Sequence, residues 1–135
     1  EGVSRSWYDN GQQHYEWNFV NGRKEGVGKE WFDNGKKAAE VEYVKGSPIG
    51  RAVFWYKNGN KKSESNRVGR RKYEGAKRTW YENGQKKEEQ NYISGVKEGV
   101  SFFWYENGHK SKEEHYKNGV LKKIIRWDVS GKLID

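Results

Sequence analysis

Tryptophan recurs in this sequence at an almost constant interval. Six of the seven tryptophans are separated by 24, 24, 25, 24 and 23 residues. They are Trp7, Trp31, Trp55, Trp80, Trp104 and Trp127. An aromatic residue follows each of the first five, and a glycine lies four positions after every one of the six. A period of this length indicates a solenoid, propeller or array, in which each unit buries its apolar face against its neighbours.

Each unit is predicted to be a β-hairpin. In five of the six units an asparagine precedes the turn glycine. Asn-Gly between alternating runs is the strongest short-range hairpin signal, because a type I′ turn requires positive φ at both central residues. A second turn is predicted near the end of each full unit, at Asn21-Gly22, Lys45-Gly46, Val68-Gly69, Ser94-Gly95 and Asn118-Gly119. The sequence therefore predicts an all-β fold, an elongated antiparallel meander of about 11 strands.

The repeats account for the whole chain of 135 residues as a single array. We place the units at approximately 2–25, 26–49, 50–74, 75–98 and 99–121, with a partial unit at 122–135. Val, Ile, Leu and Phe together number only 23, whereas Trp, Tyr and Phe make up 16% of the chain. We therefore expect a thin protein whose core is made of ring contacts and contains little aliphatic bulk.

A two-residue turn at Asn10-Gly11 would place Trp7 opposite His14 and Arg5 opposite Glu16. The six periodic tryptophans then share one face, where we expect a structural ladder of stacked rings. The other face would carry a second aromatic column, eight residues after each turn glycine. Its members are Phe19, Tyr43, Tyr92 and Tyr116, with Arg67 in their place in the third unit.

A glutamate lies five residues after each of the first five turn glycines. These glutamates are Glu16, Glu40, Glu64, Glu89 and Glu113, and the register places them opposite Arg5, Lys29, Val53, Arg78 and Phe102. Three of the five would form cross-strand ion pairs. Since catalysis does not need one carboxylate per unit, we interpret the glutamates as structural.

The repeat unit resembles a known family. Gly26-Val-Gly-Lys-Glu-Trp31-Phe-Asp-Asn-Gly35, and Gly99-Val-Ser-Phe-Phe-Trp104-Tyr-Glu-Asn-Gly108 continuing to Glu113 and Tyr116, are similar to the bacterial variant of the MORN repeat. The resemblance runs over essentially the whole chain. It implies hairpin arrays used in protein–protein contact and, for some eukaryotic members, in phospholipid contact. Many bacterial examples are called YwqK-type antitoxins, so it also implies neutralisation of a partner protein.

The array is irregular at one place. Gly46 to Gly50 and Gly95 to Gly99 each span four positions, but Gly69 to Gly75 spans six. This stretch coincides with the densest group of positive charge, which we call the basic cluster: Arg67, Arg70, Arg71, Lys72, Tyr73, Lys77 and Arg78. A loop that interrupts a regular array predicts a partner contact here. A tolerated surface insertion is the alternative.

The sequence offers little for catalysis, cofactors or metals. It has no cysteine, no nucleotide-binding glycine fingerprint and no nucleophile–base arrangement. His109 and His115 would lie roughly 20 Å apart along one strand, too far to share an ion. We therefore predict no enzyme activity, no cofactor and no metal site.

The net charge of +8 favours an acidic partner, although it also serves the solubility of an open sheet. We expect a protein-interaction module with an acidic protein partner, including the antitoxin or immunity version. The alternatives are peripheral binding to anionic phospholipid and carbohydrate or cell-wall binding through exposed aromatics. We do not expect nucleic-acid binding, because no nucleic-acid module signature is present.

The compartment stays open between the bacterial cytoplasm and export after removal of a signal. The absence of methionine, with Glu1 leading directly into a repeat, suggests a trimmed start. The oligomeric state also stays open.

Overall fold

A computed structural model describes residues 1–134 as one open antiparallel sheet of fourteen strands, without a helix. The strands are β1 (Gly2–Trp7), β2 (Gln13–Val20), β3 (Arg23–Lys24), β4 (Gly26–Trp31), β5 (Lys37–Val44), β6 (Ser47–Trp55), β7 (Lys61–Gly69), β8 (Lys72–Tyr73), β9 (Gly75–Trp80), β10 (Lys86–Ile93), β11 (Val96–Lys97), β12 (Gly99–Trp104), β13 (Lys110–Lys117) and β14 (Val120–Arg126). Eleven of them neighbour one another in chain order, while β3, β8 and β11 pair with β2, β7 and β10. The predicted all-β meander is confirmed. Residues 1–134 therefore contain no helical segment of the length and apolarity needed to cross a membrane.

The first turn of each hairpin differs from the prediction. Gly11 has a φ of 87°, but Asn10 does not have positive φ. The Gly11 N–H donates to the Tyr8 carbonyl at 3.0 Å, and the Tyr8 N–H donates to the Gln12 carbonyl at 2.8 Å. This is a three-residue loop that ends in a left-handed glycine, which adds a bulge to the pairing. Trp7 consequently pairs with Gln13 and not with His14, whereas Arg5 and Glu16 pair as predicted.

The second turns follow the prediction in four of five places. Asn21, Lys45, Ser94 and Asn118 each have positive φ and precede a glycine that also has positive φ. The prediction of a turn at Val68-Gly69 is wrong. Gly69 pairs with Lys72, so the turn is Arg70-Arg71, and a bulge at Val68 absorbs one extra residue.

The two faces of the sheet carry different side chains. The side that bears the six periodic tryptophans and the five glutamates is called the tryptophan face here. The side that bears Trp17 and Tyr43 is called the groove face. The most deeply buried residues are small: Ala39, Ala52, Val53 and Ser101, at 2 to 8% exposure. The expected thin core is therefore present, but small residues occupy its centre.

Lysines, and not other indoles, lie over four of the six periodic tryptophans. Among residues 1–134 no two of the six periodic indoles stack on each other. The expectation of directly stacked tryptophans is thus wrong, and a lysine from the preceding hairpin approaches four of the six rings. The ammonium-to-ring distances are 5.8 Å for Lys37 over Trp55, 5.5 Å for Lys61 over Trp80, 5.8 Å for Lys86 over Trp104 and 5.5 Å for Lys110 over Trp127.

The bulge places each of these lysines beside a periodic glutamate. Lys61 and Glu64 are 3.1 Å apart, and Lys110 and Glu113 are 2.7 Å apart. Two of the three predicted cross-strand ion pairs form, Arg5–Glu16 at 2.9 Å and Arg78–Glu89 at 3.4 Å. The third prediction is wrong: Lys29 does lie opposite Glu40, but Glu40 pairs with Lys37.

Neighbouring hairpins are joined by side chains of the first turn. The Asn10 amide donates to the Asp33 carbonyl at 2.7 Å, while its oxygen accepts from the Gln12 N–H at 2.9 Å. Asn34, Asn58, Asn83 and Asn107 repeat this bridge to the next hairpin. The asparagines are therefore connectors between units.

The tyrosine after the periodic tryptophan makes a second connection. Tyr8, Tyr56, Tyr81 and Tyr105 each donate a hydroxyl hydrogen bond to the carbonyl of the next periodic tryptophan, at 2.7 to 2.8 Å. The second unit has Phe32 at this position, which lacks the hydroxyl.

We expect Phe32→Tyr to raise the free energy of unfolding by about 1 kcal/mol, because it supplies the missing bond to the Trp55 carbonyl. Urea denaturation followed by circular dichroism measures the change. Tyr81→Phe is the matched control and should lower stability by a similar amount. A destabilised Phe32→Tyr protein would contradict this account.

Candidate binding surface

A groove of about 380 Å³ lies on the groove face, in the middle of the array. Its floor is made of small side chains on adjacent strands, namely Gly28, Ala39, Ala52, Ser63 and Ser65. Larger rings stand beside this floor, at Trp17, Tyr43, Phe54 and Tyr73. The groove therefore exists because residues that are bulky elsewhere on this face are small in its centre.

Trp17 is the residue that sequence reasoning missed. It lies outside the tryptophan period, and it stacks on Tyr15 with ring centroids 4.0 Å apart. A side chain at Gly28 would lie 2.8 Å from Trp17 Cδ1 and 3.1 Å from Tyr43 Cε2. Gly28 therefore gives the indole its room. The usable signal was a glycine within a strand, opposite an out-of-period tryptophan.

Cations lie on the rings along this face. Lys24 Nζ is 3.6 Å from the centre of the Trp17 ring and 5.0 Å from that of Tyr43. Lys24 pairs across the hairpin with Phe19, and Lys97 pairs in the same way with Tyr92. Such cation–π contacts contribute about 0.5–1 kcal/mol where exposed. An aromatic and a cation thus face each other in two of these hairpins.

The third hairpin also pairs an aromatic with a cation, but here the cation lies on the first strand and the aromatic on the second. Arg67 pairs with Tyr73 across β7 and β8, and the Arg67 guanidinium donates to the Tyr73 hydroxyl at 3.2 Å. The centre of the Tyr73 ring lies 4.4 Å from Lys77 Nζ and 5.4 Å from the centre of the Tyr92 ring. The aromatic that the sequence appeared to lose at position 67 is supplied by Tyr73.

Tyrosine hydroxyls of this face stay protonated over a wide pH range. Burial raises the pKa of Tyr43, and the negative charge of Glu30 raises it further. Burial also raises the pKa of Tyr92, with smaller contributions from Tyr73 and Glu88. The Tyr43 phenol therefore stays a possible hydrogen-bond donor to a ligand on this face, whereas the Tyr92 hydroxyl already donates to Gln90 Oε1 at 3.0 Å.

The structure divides the basic cluster among three places. Arg67, Tyr73 and Lys77 line the groove. Arg70 and Arg71 form the exposed tip of the turn, with the exposed Lys72 next to them. Arg78 is on the tryptophan face, 3.1 Å from Glu64 and 3.4 Å from Glu89. Arg78 is thus held by two ion pairs on the face opposite the groove, and the seven residues stay the predicted contact.

Within residues 1–134, no group of three or more His, Cys, Asp or Glu side chains is arranged to hold a metal ion. His14 stacks on Tyr8 at 4.3 Å between ring centres, and His115 lies 3.1 Å from Glu113. Neither histidine lines the groove. The groove offers rings, hydroxyls, the cations of Arg67 and Lys77 and the carboxylates of Glu30 and Glu64.

An open array of hairpins is typical of repeat proteins that bind over an extended surface. The family model for the MORN repeat variant matches residues 1–21, 24–45, 73–94 and 97–118. The chain belongs to the MORN repeat variant family. Its members are interaction repeats, which is compatible with a non-enzymatic binder. A search of the curated proteins finds no match.

The matched segments lie on both sides of the third hairpin. The hairpin of β6 and β7 nevertheless makes the same connections as the others, since Tyr56 donates to the Trp80 carbonyl at 2.7 Å and Asn58 to the Glu82 carbonyl at 2.9 Å. The groove is centred there.

Proposed function

We propose that this protein is a non-enzymatic interaction module whose groove face binds an acidic partner protein. The observation that carries the proposal is the groove of about 380 Å³, whose lining combines rings and serines with the cations Arg67 and Lys77 and the carboxylates Glu30 and Glu64. A small-residue floor between aromatic walls accepts side chains of a partner, while the cations orient its acidic groups.

The charge distribution favours this face over the opposite one. On the tryptophan face the lysines are paired with the periodic glutamates, as at Lys61–Glu64 and Lys86–Glu89, 3.1 and 2.6 Å apart. On the groove face, Lys24 and Lys77 lie on aromatic rings. Their charge is not neutralised by a neighbouring carboxylate in residues 1–134. Lys24 and Lys77 are thus the cations that an acidic partner would meet on this face, beside the carboxylate of Glu30.

Neutralisation of a toxin-like protein is the specific version of this proposal. A rigid array of hairpins supplies a large surface without chemistry, which suits a protein that acts by covering another. Carbohydrate binding through the periodic tryptophans has less support, because lysine ammonium groups lie over four of the six rings.

A pair of single charge reversals tests the groove. We expect Lys77→Glu to weaken recovery of the partner from source-cell extract at least tenfold relative to wild type. Lys123→Glu makes the same charge change on the exposed side of β14 and should leave recovery within twofold. Affinity capture followed by quantitative mass spectrometry gives both ratios, and thermal melts confirm that both variants fold.

Equal losses in the two variants would show that only overall charge attracts the partner, and the groove proposal would fail. Unchanged recovery with Lys77→Glu would also refute it. If the wild-type protein captures no partner protein from the extract but sediments with anionic phospholipid vesicles, the lipid alternative is favoured instead.

A further inference from the structure

The connecting turns of the array share a carboxylate contact. The Lys45 N–H donates to Glu25 Oε2 at 2.7 Å, and the Ser94 N–H donates to Glu74 Oε2 at 2.7 Å. Asn118 and Glu98 make the same bond at 2.5 Å, and Gly22 donates to Glu1 Oε1 at 3.2 Å. In each case the glutamate directly precedes the opening glycine of the unit that contains the turn. Four turns therefore hold a carboxylate against their backbone amides.

The turn at Arg70-Arg71 departs from this pattern. The repeat position that supplies the glutamate is Ile49 in this case. In residues 1–134, neither the Arg70 nor the Arg71 N–H donates to a side-chain or backbone oxygen. Arg71 has a φ of 57° but Arg70 does not have positive φ, so the backbone of this turn differs from that of the other four, where both residues do. Successive turn amides without an acceptor in the chain can form a small anion-binding concavity.

Positive side chains surround the position. A cavity of about 580 Å³ opens beside the turn, lined by Ser47, Pro48, Ile49, Arg67, Arg70 and Arg71. The ion pairs of residues 1–134 include none of these three arginines. Arginine matches a carboxylate with two parallel N–H donors. The cavity thus combines charge, geometry and backbone donors for one carboxylate.

We infer that the Arg70-Arg71 turn binds a carboxylate side chain from an acidic segment of the partner, in the place that a glutamate of the chain itself takes at the other four turns. The inference rests on the proposed function and adds the chemical group that is recognised. It also explains why the basic cluster coincides with the one irregular turn.

The test uses the full-length chain labelled with nitrogen-15 and two peptides, hexaglutamate and hexaglutamine, at constant ionic strength. Hexaglutamate should shift the amide resonances of Arg70 and Arg71 in a saturable way, and hexaglutamine should not. Ile49→Glu should weaken the hexaglutamate effect at least tenfold, because the new side chain occupies the site. Ile93→Glu introduces the same charge at the exposed end of β10 and should bind like wild type.

A second readout does not depend on any ligand. In Ile49→Glu alone, the Arg70 amide should move downfield, towards the positions of Lys45 and Ser94, since a charge-assisted hydrogen bond forms. Unchanged hexaglutamate binding in Ile49→Glu, shifts confined to other lysine-rich segments, or no downfield movement would each overturn the inference. None of these outcomes affects the comparison of Lys77→Glu with Lys123→Glu, which tests the groove separately.

Discussion

Replacing Trp80 with alanine is expected to lower the free energy of unfolding by about 3 kcal/mol, the lower end of the range for truncating a large ring. The Trp80 indole is half-buried, and Lys61 Nζ lies 5.5 Å from its ring centre. Its backbone carbonyl also accepts the Tyr56 hydroxyl. Truncation therefore removes ring contacts at the point where two hairpins join. Urea denaturation followed by circular dichroism measures the loss.

Trp7 is the matched control within the same column. It is 59% exposed, and Trp7→Ala should cost less than about 1 kcal/mol, as at other exposed sites. Hairpin arrays are stabilised by nearest-neighbour interfaces, so Trp80→Ala should also broaden the unfolding transition, whereas Trp7→Ala should not. Similar small losses in both variants would mean that the column is a surface strip and does not support the fold.

The register of the sheet follows from the sequence because it depends on local spacing. Glycine positions and period-two alternation fix which residues share a face, and the pairing of Arg78 with Glu89 is found as predicted. The prediction of a two-residue first turn was wrong because Asn-Gly occurs both in two-residue turns and in three-residue loops that end in a left-handed glycine. The same three-residue loop forms at Asp128–Lys132, where Ser130 replaces the asparagine, so the bond from Asn10 to the Asp33 carbonyl accompanies this turn but is not required for it.

The groove was not predictable from the repeat pattern. The repeat pattern gives the residue that most units share at each position, whereas the groove is made by the units that have a different residue there. Trp17 and Gly28 compensate each other across β2 and β4, and Arg67 and Tyr73 exchange roles across β7 and β8. Each change looks like an isolated exception in the sequence. Only the paired register shows that the changes form one surface.

Glutamate ionisation on the tryptophan face should make stability depend on acid pH. Burial would raise the pKa of Glu64, but hydrogen bonds from Lys61 and Arg78 outweigh it and hold that pKa below the usual 4.5. The Lys86 hydrogen bond is the main reason that the pKa of Glu89 is lowered, and the Lys110 hydrogen bond does the same for the pKa of Glu113. A lowered folded-state pKa means that the stabilisation is fully present above pH 4.5 and is lost as the pH falls through the folded-state values.

Glu64→Gln should lower the free energy of unfolding by about 2 kcal/mol at pH 7, within the range for hydrogen bonds to charged groups. The Glu64 carboxylate is 17% exposed and lies 3.1 Å from both Lys61 and Arg78. Those cations are 38% and 36% exposed, so solvent screening keeps the loss below that of a fully buried pair. Urea denaturation at several pH values measures the effect.

The difference between wild type and Glu64→Gln should shrink as the pH falls below 4.5, because protonation then removes the same charge from the wild-type side chain. Glu82→Gln is the matched control, since Glu82 is exposed and its carboxylate forms no ion pair within residues 1–134. It should change stability by less than about 0.5 kcal/mol and leave the pH profile parallel to wild type. A constant difference between wild type and Glu64→Gln from pH 7 into the acid range would show that the substitution acts through packing, and the electrostatic account of the glutamate column would then be wrong.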